Sequence, residues 1–215
     1  MLKISPSILN VQLDNIENEV QLLDKAGADY IHIDIMDGKF VNNTSFDLET
    51  VRKIRALTSR ILDVHLMVQP VKSYIFDFID VGSDIITFHP EADKNPSEII
   101  EIIKKANKKV GLAIQPQIQI KDIEIYLPEV QQIIVMAVVP GFGGQKFMQD
   151  QVIKVNELFK IRQNFNYDYK ISVDGGINNV TGRICKDNGA DVLAVGSYLL
   201  SHDSKDYKKI INLLR

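Results

Sequence analysis

The stretch AGADYIHID, residues 26–34, joins two patterns. Gly27 stands where a helix would end, at the C′ position that favours glycine. From Tyr30 onward the apolar residues 31 and 33 alternate with His32 and Asp34, which is the period of a strand. The same join recurs in VGSDIITFH (81–89) and NGADVLAVG (188–196), with Gly82 and Gly189 in the equivalent place. These glycines are 55 and 107 residues apart, close to two and four units of about 27 residues, and eight such units fill the 215-residue chain. Strand-like segments fall at 2–7, 30–36, 61–66, 85–89, 110–114, 133–138, 170–173 and 192–195. The intervening patterns are helical: Leu13, Ile16, Val20 and Leu23 form one apolar stripe, and Ile99, Ile100 and Ile103 another, with Ser97 as the expected cap after Pro96. A βα unit used about eight times predicts an α/β fold, a parallel eight-stranded (β/α)8 TIM barrel, in one domain over residues 1–215, ahead of an open doubly wound sheet.

In such a barrel the chemistry collects at the carboxyl ends of the strands. The second strand carries His32, Asp34 and Met36 on one face, and the third, DVHLM, carries Asp63, His65 and Met67 in the same alternation. Ser7 ends the first strand, His89 the fourth, Met136 lies on the sixth, and ISVDGG brings the seventh to Asp174. His32, Asp34, His65 and Asp174 therefore converge, and imidazole with carboxylate suits a divalent ion such as Zn²⁺, Fe²⁺, Mn²⁺ or Co²⁺. By pattern alone the three methionines read as packing.

Glycine-rich turns follow the last three strands: Gly141, Phe142, Gly143 and Gly144 in PGFGGQ, Gly175 and Gly176 after Asp174, and Gly196 before Ser197. Backbone N–H groups in such turns approach an anion closely, and barrels often bind phosphate there. A phosphate anchor beside a metal flanked by two carboxylates suits proton transfer next to a carbonyl. Removal of a proton from one face and its return on the other inverts the carbon, with no organic cofactor required.

Composition excludes other classes. The chain is 45% hydrophobic and 25% charged with a net charge of −3, which gives no electrostatic reason to expect nucleic acid or a membrane surface as partner. The single cysteine, Cys185, forbids an intrachain disulfide and fits a reducing compartment. No apolar run approaches the roughly 18 residues of a spanning helix, and no leader pattern opens the sequence, so a cytoplasmic protein is expected.

The motifs SPSIL (5–9), HIDIMDGKFV (32–41), DVHLMV (63–68), ITFHPEA (86–92), VMAVVPGFGGQKF (135–147), VDGGIN (173–178) and GADVLAVGS (189–197) resemble, in order and spacing, those of the ribulose-phosphate 3-epimerase family. The resemblance covers nearly the whole chain. It implies a barrel enzyme of pentose phosphate metabolism that interconverts D-ribulose 5-phosphate and D-xylulose 5-phosphate, with one metal ion on His32, Asp34, His65 and Asp174, Zn²⁺ or Fe²⁺ foremost. It implies Asp34 and Asp174 as acid/base residues, and Met36, Met67 and Met136 as lining for the enediolate. Substrate binding falls by the same resemblance to Ser7, His65, Asp174 and the glycine turns 141–144, 175–176 and 196–197. The implied partner is a small sugar phosphate; a homo-oligomer is compatible with all of this.

Departures from the family pattern are Lys39, the segment VNNTSFD with Asn42 and Asp47, Gln115 and Val139, positions expected near loops that shape the substrate pocket. A 3-epimerase of a longer ketose phosphate, such as D-allulose 6-phosphate, is the nearest rival, although that branch tends to carry Ser where this chain has Gly176. A metal-dependent hydrolase and a non-catalytic phosphosugar-binding barrel are more remote. Schiff-base chemistry lacks a lysine in the barrel mouth, since Lys170 begins its strand and Lys39 lies in a loop.

Overall fold

The computed structural model describes residues 1–215. Its strands are β1 (Lys3–Pro6), β2 (Tyr30–Met36), β3 (Ile61–Met67), β4 (Ile85–Phe88), β5 (Lys109–Ile114), β6 (Gln132–Met136), β7 (Lys170–Asp174) and β8 (Val192–Val195). All pairs are parallel, in the order β1-β8-β7-β6-β5-β4-β3-β2. β1 meets β2 through a parallel bridge between Ser7 and His32 and a 3.0 Å hydrogen bond from the Asp29 N–H to the Ile4 carbonyl, which brings the sheet round into a barrel. Each strand lies within two residues of its sequence-predicted bounds.

The helices are α1 (Ile16–Lys25), α2 (Leu48–Leu57), α3 (Ile75–Asp80), α4 (Pro96–Lys105), α5 (Val152–Phe165), α6 (Asn179–Asp187), α7 (Ser197–Leu200) and α8 (Tyr207–Leu214). They cover the outward faces of the strands, where Ile31, Ile33, Leu62, Val64, Leu66, Ile86 and Phe88 are fully buried in the main core. Burial of each such side chain contributes about 1.5–3 kcal/mol. Gly27, Gly82 and Gly189 adopt φ of +89°, +95° and +104° just past α1, α3 and α6, which accounts for the repeated glycine.

Three sequence expectations need correction. The β5–β6 connection holds no α-helix; its two 3₁₀ segments, Ile120–Asp122 and Glu124–Glu129, include Pro128, which has no N–H to give a helical ladder. Leu13 precedes α1 in a 3₁₀ turn and is 65% exposed, so the buried stripe is Ile16, Val20 and Leu23. Asn95, rather than Ser97, caps α4: its side chain accepts the Glu98 N–H at 3.4 Å and Pro96 takes the first helical position, where a missing N–H is harmless.

The barrel interior is apolar at the base, where Tyr30, Ile85 and Val192 pack together, and polar higher up, where Ser5, His32, Asp63, Thr87, Gln132 and Ser172 are all buried. Gly111 gives this interior its width on β5, because a Cβ there would lie 2.1 Å from Thr87 Oγ1 and 3.1 Å from Thr87 Cα. Gly111→Ala is therefore expected to destabilise the fold by about 1–3 kcal/mol through overpacking. In a Thr87→Ala background, which removes the nearest atom, the same change should cost less. Equal losses in the two backgrounds by urea denaturation would contradict this contact.

Candidate active site

The β2–β3 register sets His32 opposite Asp63, Asp34 opposite His65 and Met36 opposite Met67. Each pair points into the barrel, since the alternate residues of both strands lie in the outer core. Three steps round the barrel from β2, Asp174 ends β7 and turns its partly exposed carboxylate to the same point. One ligand atom from each of His32, Asp34, His65 and Asp174 lies within 4.8 Å of every other.

Hydrogen bonds fix how these groups face. Gln132 Nε2 donates to Asp63 Oδ1 at 2.8 Å, and His32 Nδ1 lies 3.0 Å from Asp63 Oδ2. A proton on His32 Nδ1 satisfies that carboxylate and leaves Nε2 as the atom presented to the site. His32 Nε2 is buried and has no aligned hydrogen-bond partner, although Asp34 Oδ1 is 3.3 Å away and Asp174 Oδ2 3.9 Å away. Ser7 Oγ donates to Asp34 Oδ2 at 3.0 Å, and His65 Nδ1 lies 3.1 Å from Asp34 Oδ1. Ser45 staples the end of β2, donating to the Asp34 carbonyl at 2.6 Å and accepting the Met36 N–H at 2.9 Å.

The two carboxylates are driven apart in acidity. Burial alone would raise Asp34, but the imidazoles of His32 and His65 outweigh it and hold the carboxyl below the usual range. Burial, with the Asp34 charge beside it, pushes Asp174 up to about 6. Burial works against a charged His32, yet Asp34 and Asp63 hold that ring well above the usual histidine range. His89 faces His65 from behind, and burial pushes it down to about 4. An orphaned imidazole nitrogen aimed at two carboxylates, with a second imidazole on the other side, fits a divalent ion; its histidine is oriented by a carboxylate, as metal ligands commonly are.

Above this cluster opens a cleft of about 230 Å³. Ser7, Asp34, Asp174, Met36, Met67, Met136 and every glycine-turn residue expected from the sequence, Gly141, Phe142, Gly143, Gly144, Gly175, Gly176, Gly196 and Ser197, line it. His32 and His65 lie behind this wall, fully buried. At Gly175 and Gly176, with φ of +110° and +63°, a Cβ would meet Val138 at 2.5 Å and the Phe147 backbone nitrogen at 2.5 Å, so these turns close on the barrel only without side chains.

Lys39, Asn42, Asp47, Gln115 and Val139 do not themselves line the cleft, although Val139 lies between the lining residues Val138 and Pro140, and Asn43, next to Asn42, donates to the Gly141 carbonyl at 3.1 Å. Asp47 instead caps α2, accepting the Thr50 N–H at 2.8 Å. Sequence reasoning also passed over Asp63, Gln132 and Asn10 as site residues. Asp63 was legible, since it shares the inward face of DVHLM with His65. Gln132 carried no signal, and Asn10 joins the site only through the folded chain, where its Nδ2 donates to Ser197 Oγ at 2.9 Å.

Residues 3–200 match the model of the Ribulose-phosphate 3 epimerase family. The chain is 36% identical over 216 residues to the ribulose-phosphate 3-epimerase of Bacillus subtilis (strain 168), covering 100% of this chain and 99% of that one. It is 38% identical over 215 residues to the enzyme of that name from Methanocaldococcus jannaschii, covering 100% and 90%. Among solved structures, a mutant tryptophan synthase alpha-subunit from Pyrococcus furiosus superposes with a TM-score of 0.74 over 100% of this chain and 99% of that one at 14% identity, a likeness of fold alone. With the family matched along almost its whole length and the His and Asp cluster at the strand ends, the chain belongs to the ribulose-phosphate 3-epimerase family, isomerases acting on carbohydrates.

Proposed function

We propose that this protein interconverts D-ribulose 5-phosphate and D-xylulose 5-phosphate by moving the C3 proton between Asp34 and Asp174. The observation that carries this reading is the pair of carboxylates on β2 and β7, facing one cleft with acidities displaced in opposite directions. A flat enediolate between them presents one face to each. Asp34, stripped of its proton by the neighbouring imidazoles, is suited to accept; Asp174, nearer to neutrality, is suited to hold and return a proton. In the reverse direction the roles exchange.

The backbone N–H groups of 143–144, 175–176 and 196–197 are the proposed phosphate anchor, which would fix C3 over the carboxylates. Met36, Met67 and Met136 give the enediolate an apolar, polarizable wall and keep water from the reacting carbon. Gly176 has no room for the side chain that the longer-ketose branch tends to carry, which supports the pentulose substrate.

His32 through Nε2, His65 through Nδ1, and Asp34 and Asp174 would hold one divalent ion, with Zn²⁺ and Fe²⁺ best suited and Mn²⁺ and Co²⁺ compatible. When bound, such an ion supplies Lewis acidity toward the substrate oxygens. No helix is long and apolar enough to cross a membrane.

Metal loading should be coupled to protons. Without an ion, His32 is held in its charged form at neutral pH, and Asp174 takes up a proton as pH falls through about 6. Both must be unprotonated to act as ligands, so binding should release protons at pH 7 and more of them at pH 5, and affinity should fall as pH falls. Calorimetric titration with Zn²⁺ in buffers of different ionisation enthalpy reads the number; no release at either pH would be incompatible with this site.

The two-base assignment is tested with D-ribulose 5-phosphate in D₂O. The wild type should form D-xylulose 5-phosphate with deuterium at C3. Asp174→Asn, checked for fold and metal content, should lose net epimerisation by about 10²–10⁴-fold while retaining slow C3 exchange through Asp34. Near-normal epimerisation by this variant would exclude the mechanism.

A further inference from the structure

Behind His65 lies a line of polar groups that the reaction itself does not use. His65 Nε2 is 2.9 Å from His89 Nε2, and both rings are fully buried. The other nitrogen of His89, Nδ1, has no aligned partner and lies 3.5 Å from Glu91 Oε1. Gln115 Nε2 donates to that same Glu91 oxygen at 2.9 Å, and Lys154 Nζ pins the turn carrying Gln115 through the carbonyls of Gln115 and Pro116 at 3.1 and 2.7 Å. Phe40 packs against the His89 ring with centroids 4.8 Å apart.

We infer that His89, oriented by Glu91, is a positioning residue that sets the tautomer of His65 and so makes His65 Nδ1 the nitrogen offered to the metal. The inference rests on the metal reading above. Two imidazole nitrogens 2.9 Å apart share one proton, and which ring owns it decides what His65 can do. If His89 Nε2 carries the proton, neutral His65 has its own proton on Nδ1, aimed at Asp34, and cannot ligate through that atom. If His65 Nε2 carries it, the Nδ1 lone pair is free. Without an ion the Asp34 carboxylate, 3.1 Å from His65 Nδ1, draws a proton to that nitrogen; with an ion there instead, the Glu91 carboxylate favours a proton on His89 Nδ1, which leaves His89 Nε2 as the acceptor and His65 Nε2 as the donor. Gln115 holds the carboxylate in place. The arrangement repeats on β3 and β4 what Asp63 does for His32, with an imidazole inserted between carboxylate and ligand.

The test uses the full chain labelled with ¹⁵N-histidine and loaded with Zn²⁺, whose long-range ¹H–¹⁵N spectra separate protonated, free and metal-bound ring nitrogens. Only four histidines contribute, and single-histidine variants assign them. The expected spectrum has His65 protonated at Nε2 and zinc-bound at Nδ1, and His89 protonated at Nδ1. His89→Phe, which keeps the ring's bulk against Phe40 but accepts no hydrogen bond, should weaken Zn²⁺ binding by about 10- to 100-fold. His89→Gln, whose amide oxygen can accept from His65 Nε2, should recover most of that loss. A proton on His89 Nε2, or zinc on His65 Nε2, in the wild type overturns the inference without touching the metal site. Undiminished affinity in folded His89→Phe overturns it as well, whereas failure of the wild type to bind Zn²⁺ would remove the metal reading and this one together. The wild-type spectrum decides the matter even if a variant does not fold.

Discussion

The pairing register of β2 with β3 is the constraint on which the rest of the site depends. It places Asp34 against His65, His32 against Asp63 and Met36 against Met67. A slip of one residue in either strand would turn that strand's three inward side chains outward among the isoleucines and leucines of the helix layer, and would bring Ile33 (from β2) or Val64 (from β3) into the barrel. The register is held from outside by the burial of Ile31, Ile33, Leu62, Val64 and Leu66, each inaccessible to solvent. The apolar face that stabilises the fold thus also determines the geometry of the reactive one, since the two alternate along the same strands.

A polar interior is costly unless its groups are paired, and this barrel pairs some of them along two lines running away from the cleft, while Ser5 Oγ, Ser172 Oγ and His89 Nδ1 have no aligned partner. Gln132, Asp63 and His32 make one; Gln115, Glu91, His89 and His65 make the other. Both end on an imidazole nitrogen at the same point, beside Asp34 and Asp174. Each line reaches its imidazole from the side away from the cleft. The glycine turns complete the cleft on the opposite rim, where Gly175 and Gly176 lie too close to Val138 and Phe147 for any side chain.

Much of this was legible in the sequence because strand parity and glycine placement are local signals. Alternation in HIDIM and DVHLM was enough to put His32, Asp34, Met36, His65 and Met67 on the inner face, and the three Gly-small-Asp joins were enough for the barrel. What sequence could not supply depends on long-range placement. Gln132 reaches Asp63 across 69 residues of chain, and Gln115 reaches Glu91 only because β4 and β5 end side by side. Gln115, which departs from the family pattern, hydrogen-bonds Glu91 outside the cleft. The helix expected after β5 failed because the βα repeat was extrapolated over a segment that contains Pro128. Leu13 misled because an apolar residue one turn ahead of a stripe looks like part of it, although the chain there has not yet entered the helix.

Four strand-end side chains, His32, Asp34, His65 and Asp174, are proposed to form one metal site in a fixed orientation. Anomalous diffraction from crystals of the Zn²⁺-loaded protein, recorded at the zinc edge, tests it most directly. One peak per chain is expected at ligand distance, roughly 2.0–2.2 Å, from His32 Nε2, His65 Nδ1, Asp34 and Asp174. A peak elsewhere, or a bound ion coordinated without these histidine atoms, would contradict it.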